Sequence, residues 1–165
     1  MFWLKHSATG GTSPFDLSLG QALLVHDALR ANARTSTPAE SARLDQAAQA
    51  IGSILRRWAA AASRKAEAEL PQRLNLWQAY LEEIQEGQAS AGEYAHQVRH
   101  RVIAERLLPM VAPVPSEQEQ RLQVLDRSLQ GIFQPGGFAW EAGLVSAYRQ
   151  PQFWFLYGGI RPSSA

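Results

Sequence analysis

Between Thr37 and Gly87 the apolar positions keep a helical rhythm. Leu44, Ala48, Ile51, Leu55, Trp58 and Ala62 follow one another in alternating steps of four and three, which puts them on a single stripe of one helix. Arg43, Asp45, Gln46, Gln49, Arg56, Arg57 and Arg64 fall off that stripe. Leu70, Leu74, Trp77, Leu81 and Ile84 repeat the pattern, and Ala66 joins the two runs, so the stripe crosses Pro71 without changing face. A proline inside a helix removes one backbone donor and crowds the preceding turn. No Gly, Asn or Ser cluster surrounds Pro71, so the spacing predicts one long central helix kinked there rather than a hairpin.

Helix starts can be read from capping boxes, in which a Ser or Thr and a Glu or Gln three residues later satisfy each other's free backbone donors. Ser18 with Gln21, Thr37 with Glu40, Ser90 with Glu93, and Ser116 with Glu119 fit this pattern, and each precedes a run of helical spacing. Pro38 follows Thr37 at the favoured first helical position. The first helix is expected over about Ser18–Ala33, with Leu19, Leu23, Leu24, Val25, Ala28 and Leu29 spread over much of its circumference. The short connection after Gly87 predicts an antiparallel partner opened by Ser90, with Leu81 opposite Val98 and Trp77 opposite Val102. Pro109, Pro113 and Pro115 end that helix. Leu122, Leu125, Leu129 and Ile132 mark the next one, which closes near Gly131–Gly137.

The rest differs in kind. Phe133, Phe138, Trp140, Tyr148, Phe153, Trp154, Phe155 and Tyr157 are over half of the chain's aromatic residues. A short helix fits Trp140–Tyr148, whereas Pro151 and the Gly158–Gly159 pair leave Gln152–Tyr157 extended or irregular. The opposite end, with Thr9, Gly10, Gly11, Thr12, Ser13 and Pro14, reads as a mobile arm. The resulting expectation is an all-α single domain: an arm over residues 1–15, an antiparallel helical bundle of four to five helices over 16–132 built on the long Pro-kinked central helix, and an aromatic, partly irregular C-terminal cap over 133–165.

Composition narrows the functional classes. A chain of 165 residues suits one domain, and a net charge of +1 supplies no overall field to draw it onto nucleic acid or an anionic membrane. No stretch approaches the ~20 apolar residues of a membrane span. Cysteine is absent, which excludes disulfides and thiolate chemistry. Met1–Leu4, followed by Lys5 and His6, lacks the succession of charged, apolar and small residues that marks a secretory signal, so a cytoplasmic location is expected.

Candidate chemistry is sparse. Glu93, His96 and His100 have spacings that could converge on a metal, but at 100° per residue they lie opposite the Val98 and Val102 stripe and are expected to face solvent. Di-iron bundles use a second Glu-x-x-His pair, which this chain lacks. No serine sits in a Gly-x-Ser-x-Gly elbow, and the Thr9–Thr12 turn lacks the lysine and preceding strand of a phosphate loop. Arg99, His100, Arg101 and Arg106, with Arg56 and Arg57, would be a nucleic-acid footprint only as a contiguous stripe, and Glu93 and Glu105 interrupt it. Trp140, Trp154 and Tyr157 are candidates for partner contacts, with a lid over the bundle end as the plainer reading.

These residues point to a non-catalytic helical interaction module without a cofactor, whose partner is a second copy of the chain or another protein. Self-association is expected because a helix of about 33 residues spans ~50 Å, whereas the first helix reaches only ~24 Å. The alternative is a bundle that binds a small ligand or metal. Nucleic-acid binding and enzymatic activity rank below both.

Overall fold

The computed structural model describes residues 18–111, 113 and 116–160. The arm expected over 1–15, the Thr9–Thr12 turn and the last five positions lie outside them. Among the described residues the protein is mostly helical, with five α-helices of nine residues or more and a small two-stranded sheet. Helix α1 spans Leu19–Ala33, α2 Pro38–Arg57, α3 Ala59–Gln85, α4 Tyr94–Gln97, α5 Arg99–Leu107 and α6 Ser116–Gln130. Strands β1 (Phe133–Phe138) and β2 (Tyr157–Ile160) follow.

Two expected caps form as read. The Ser18 Oγ accepts from the Gln21 backbone N–H at 3.2 Å while the Gln21 side chain accepts from the Ser18 N–H at 3.1 Å. The Glu40 carboxylate accepts from both the N–H and the hydroxyl of Thr37, at 3.2 and 2.7 Å. At Ser90 the Oγ accepts from the N–H of Gly92 instead, and the chain enters a 3-10 turn over Ala91–Glu93 before α4.

The central stretch is two helices rather than one. α3 runs through Pro71 without a break, whereas the interruption falls at Trp58, whose φ of −110° and ψ of 32° leave the helical region. The change of neighbours explains the position. α2 lies along α1, whereas α3 packs against α5 and α6. One straight helix could not follow both sets, and Trp58 is where the direction changes.

Burial differs sharply across that break. α3 sends Leu70, Leu74, Trp77, Leu81 and Ile84 into a core shared with Val98, Val102, Ile103 and Leu107, with Leu122, Leu125 and Leu129, and with Phe153, Phe155 and Leu156. In α2 only Ala48 is buried. α3 and α5 run in opposite directions, since Arg73 meets His100 while the ring of Trp77 packs 6.2 Å from that of Tyr94. Leu81, Trp77, Val98 and Val102 all share this core, although Trp77 finds its ring partners in Tyr80 and Tyr94.

The strictly all-α expectation is corrected by the C-terminal segment. β1 and β2 pair antiparallel, with Phe133 opposite Ile160, Gln134 opposite Gly159, and an irregularity between Pro135 and Phe138. The strand sequence Phe-Gln-Pro-Gly-Gly-Phe has low β propensity, and its partner lies far along the chain, so local periodicity could not reveal it. Gly158 permits the pairing because a Cβ there would collide with the Gln134 carbonyl. In place of the short helix expected over Trp140–Tyr148 there is a 3-10 turn at Ala142–Leu144. The segment covers the core, as its buried Tyr148, Phe153 and Phe155 show.

Close approach of α1 and α5 also needs a glycine. A Cβ on Gly20 would overlap the Ile103 side chain, whose branch is fixed at the β carbon. Alanine at this position gains ~1 kcal/mol in helix propensity. Overpacking costs ~1–3 kcal/mol, so Gly20→Ala should be destabilising on balance. Gly52→Ala, where a Cβ meets only the ends of the Arg56 and His26 side chains, should be neutral or stabilising. Urea unfolding of both variants checks this contrast.

Candidate functional site

The expected solvent-facing trio of Glu93, His96 and His100 is split. Glu93 and His96 are exposed, but His100 is only 7 % exposed. The solvent-facing expectation holds only if the side of α5 opposite Val98 and Val102 meets water. That side is occupied, because α1 as well as α3 packs on α5, and His100, Arg101, Val102, Ile103 and Ala104 are buried in succession.

His100 is held by Arg73, whose Nη1 lies 3.2 Å from Nδ1. A guanidinium has no acceptor, so Arg73 donates and the Nδ1 lone pair receives. The imidazole is thereby neutral, with its proton on Nε2. Burial, and then the charges of Arg73, Arg99 and His96, push its pKa down to about 4. The lone pair is taken, so Nδ1 is closed to a metal. Among the described residues no group of three His, Asp or Glu side chains is placed to hold one.

Arg73 belongs to a polar clamp between α1 and α3. Its Nε and Nη2 donate to Glu69 Oε1 at 2.9 and 2.7 Å, and Nη2 also donates to Ser18 Oγ at 2.8 Å. The other Glu69 oxygen accepts from the Gly20 N–H at 3.0 Å, which satisfies a free donor at the start of α1. Burial raises the Glu69 pKa, but the hydrogen bonds from Gly20, Ser18 and Arg73 outweigh it and hold the carboxyl below its ordinary value.

Arg101, a member of the basic run on the sequence, is 4 % exposed. Its Nε and Nη2 grip Asp126 of α6 at 2.8 and 3.0 Å, and Nη1 donates to Glu105 at 2.8 Å. Its guanidinium carbon stands 4.4 Å from the centroid of the Phe155 ring. Arg106 donates to Asp27 of α1 at 2.9 Å. Two of the arginines needed for a nucleic-acid stripe are therefore spent inside the molecule. Sequence reasoning missed these pairs because Asp27 and Asp126 come from distant helices.

The aromatic candidates are half-buried and engaged with the chain itself. Trp140 donates its indole N–H to the Ala95 carbonyl at 2.7 Å and lines an open groove of about 580 Å³ with Asn32, Glu141 and Leu144. Trp154 stacks edge-on against Phe133 at 5.2 Å. Tyr157 donates its hydroxyl to the Tyr148 carbonyl at 2.9 Å.

Among the described residues the most exposed of the large apolar side chains lie elsewhere, on α2 and at its end. Ile54 is 59 % and Trp58 60 % exposed. α1 covers the side of α2 that carries Ala48, with Leu44, Ile51 and Leu55 half-buried. The outward side carries Ala39, Glu40, Arg43, Ala47, Ala50, Ile54, Arg57 and Trp58, all exposed. The Arg57 guanidinium leans toward the Trp58 ring, 5.8 Å from its centroid. Such a face is suited to contact with another helix rather than to bond chemistry.

No protein-family model, curated protein or solved structure matches this chain. Among the described residues no helix is long and apolar enough to cross a membrane.

Two measurements test the buried charges. The folded pKa of His100 lies below its unfolded value, so the unfolded chain takes up the proton first as pH falls. The neutral ring therefore contributes fully above about pH 6.5, and the contribution is lost as pH falls from there toward about 4. Stability should drop by on the order of 2 kcal/mol over that window. His100→Asn should flatten this part of the pH profile of chemical denaturation. Arg101→Lys cannot reproduce the fork and should cost ~2 kcal/mol or more, while Arg101→Ala should cost ~3–5 kcal/mol by stranding Asp126. Melting of the two variants at pH 7 checks both values.

Proposed function

We propose that this protein is a non-catalytic helical interaction module, an antiparallel bundle that self-associates through the outward face of α2. The observation that carries this reading is the exposure of Ile54 and Trp58 on a helix that, among the described residues, is covered mainly along the side facing α1. Large apolar side chains gathered at one place on a surface mark contact sites more often than isolated ones do.

The charge pattern favours a second copy as the occupant. On the outward face Glu40 lies near the start of α2 and Arg57 at its end. Two α2 helices crossing antiparallel about a two-fold axis between Ala47 and Ala50 bring Glu40 of each chain to Arg57 of the other. The same crossing lays Trp58 over Ala39 and Ile54 over the aliphatic stem of Arg43. The alanines at the centre allow the backbones to approach closely. Such a contact is isologous, repeating one patch on both chains. With one helix from each partner it falls at the small end of specific interfaces, ~1,200 Å² or less. Association is therefore concentration-dependent.

Sedimentation velocity across the micromolar range should show a monomer–dimer equilibrium that Ile54→Glu or Trp58→Glu abolishes without lowering the melting temperature. Arg57→Glu should weaken the dimer, and adding Glu40→Arg to it should restore association. A single monomeric species at all concentrations would sink the proposal, and an unrepaired double charge exchange would sink the antiparallel register.

A further inference from the structure

The joint between α2 and α3 is bent in the fold, although its sequence is that of a continuous helix. Leu44, Ala48, Ile51, Leu55, Trp58, Ala62 and Ala66 keep one apolar stripe across it, and Ala59, Ala60, Ala61 and Ala62 belong to the residue type with the highest helix propensity. The interruption is confined to Trp58. Its N–H still donates to the Ile54 carbonyl at 3.0 Å, and its carbonyl still accepts from the Ala62 N–H at 2.9 Å. The bonds that a continuous helix would form from Ala59, Ala60 and Ala61 to Leu55, Arg56 and Arg57 are not made. The bend also leaves Ile54 and Trp58 the most exposed of the large apolar side chains among the described residues.

α1 holds the joint bent. α2 packs chiefly on α1, so the two form a hairpin, and α1 ties that hairpin to the helices beyond the joint. Glu69 of α3 accepts from the Gly20 N–H at 3.0 Å, Arg73 of α3 donates to Ser18 Oγ at 2.8 Å, and Arg106 of α5 donates to Asp27 at 2.9 Å. Gly20 also admits the side chain of Ile103. None of these contacts requires both partners to belong to one chain, and the hairpin is joined covalently to α3 at Trp58 alone.

We propose that two copies of this chain exchange their α1–α2 hairpins. In the exchanged dimer the joint straightens, α2 and α3 become one helix of ~70 Å over Pro38–Gln85, and α1 of each chain seats against α3 and α5 of the other through the same contacts. The closed chain already makes those contacts, so the gain lies at the joint. Each chain forms the missing backbone hydrogen bonds of Ala59, Ala60 and Ala61, and the exposed Ile54 and Trp58 side chains come together where the two joints cross. Exchange requires the hairpin to detach first, so this dimer forms and dissociates slowly. It does not rest on contact between the outward faces of two closed α2 helices, which joins and parts rapidly.

Charges reversed in separate chains read the exchange directly. Asp27→Arg sets two arginines against each other within one chain, and Arg106→Asp sets two carboxylates. Unfolded in urea and refolded together, the two variants should give a heterodimer in which each α1 meets its opposite charge on the other chain, with either homodimer at least about tenfold rarer in native mass spectrometry. One chain carrying both changes should fold as the parent does, which establishes that the reversed pair is tolerated. Contact between outward α2 faces is indifferent to these charges and gives both homodimers beside the heterodimer. Trp58→Ala and Trp58→Gly supply a second measurement. Both remove the ring and so weaken the outward-face contact alike, but alanine favours the straight joint and glycine does not. Dimer that persists for hours after dilution should therefore be about tenfold more abundant for Trp58→Ala in size-exclusion chromatography. The proposal is overturned by a statistical mixture of the charge variants, by their refolding as monomers only, or by equal amounts of persistent dimer from the two Trp58 variants. Should the chain with both charge changes fail to fold, the Trp58 comparison decides alone. The rapid monomer–dimer equilibrium of the parent tests the outward-face contact whichever way the exchange falls.

Discussion

The burial of Arg101 is the constraint on which the far side of the fold depends. Removing a guanidinium from water costs several kcal/mol unless its donors are matched. Here the fork meets Asp126, the remaining arm meets Glu105, and the flat face lies against Phe155. Those partners come from α6, from α5 itself and from the C-terminal segment. Each of these elements is therefore held at the one position where the charge is satisfied. Gln152 extends the arrangement by donating to the second Glu105 oxygen at 3.2 Å.

A second polar group does comparable work on the near side. Glu69 receives the first turn of α1 through Gly20 and Ser18's neighbour Arg73, and Arg73 in turn fixes the neutral state of His100. Apolar contact alone would tolerate some sliding of α1 over α3 and α5. The clamp, together with the absence of a side chain at Gly20, removes that freedom. Order then decreases outward. α3 is packed against several elements and α2 against essentially one, so the apolar stripe that begins at Leu44 is only half used until it passes Trp58.

Much of the helical content was legible from local signals. The Ser18 and Thr37 caps lie at the starts of α1 and α2, and the stripe from Leu70 to Ile84 is buried as its spacing implies. The break at Trp58 was not legible. Nothing in the local sequence distinguishes that position from its neighbours, and Pro71 carried the only visible signal of interruption. A proline can be accommodated within a helix whose surroundings hold it, and here the buried Leu70 and Leu74 flank it. The β1–β2 pairing was equally hidden, because strands of glycine and proline are specified by their partner and not by their own pattern.

What the sequence determined by itself was periodicity and inventory: which stretches are helical, which faces are apolar, and that thiol chemistry is absent. Those properties are short-range, set by backbone geometry and by the side chains within a turn or two. The tertiary structure decided which of those faces meets water. His100 is expected at the surface when one helix is considered alone, whereas burial depends on how many neighbours surround it. Asp126, Asp27 and Glu69, which pair with Arg101, Arg106 and the Gly20 N–H, lie far along the chain, so these pairings exist only after folding.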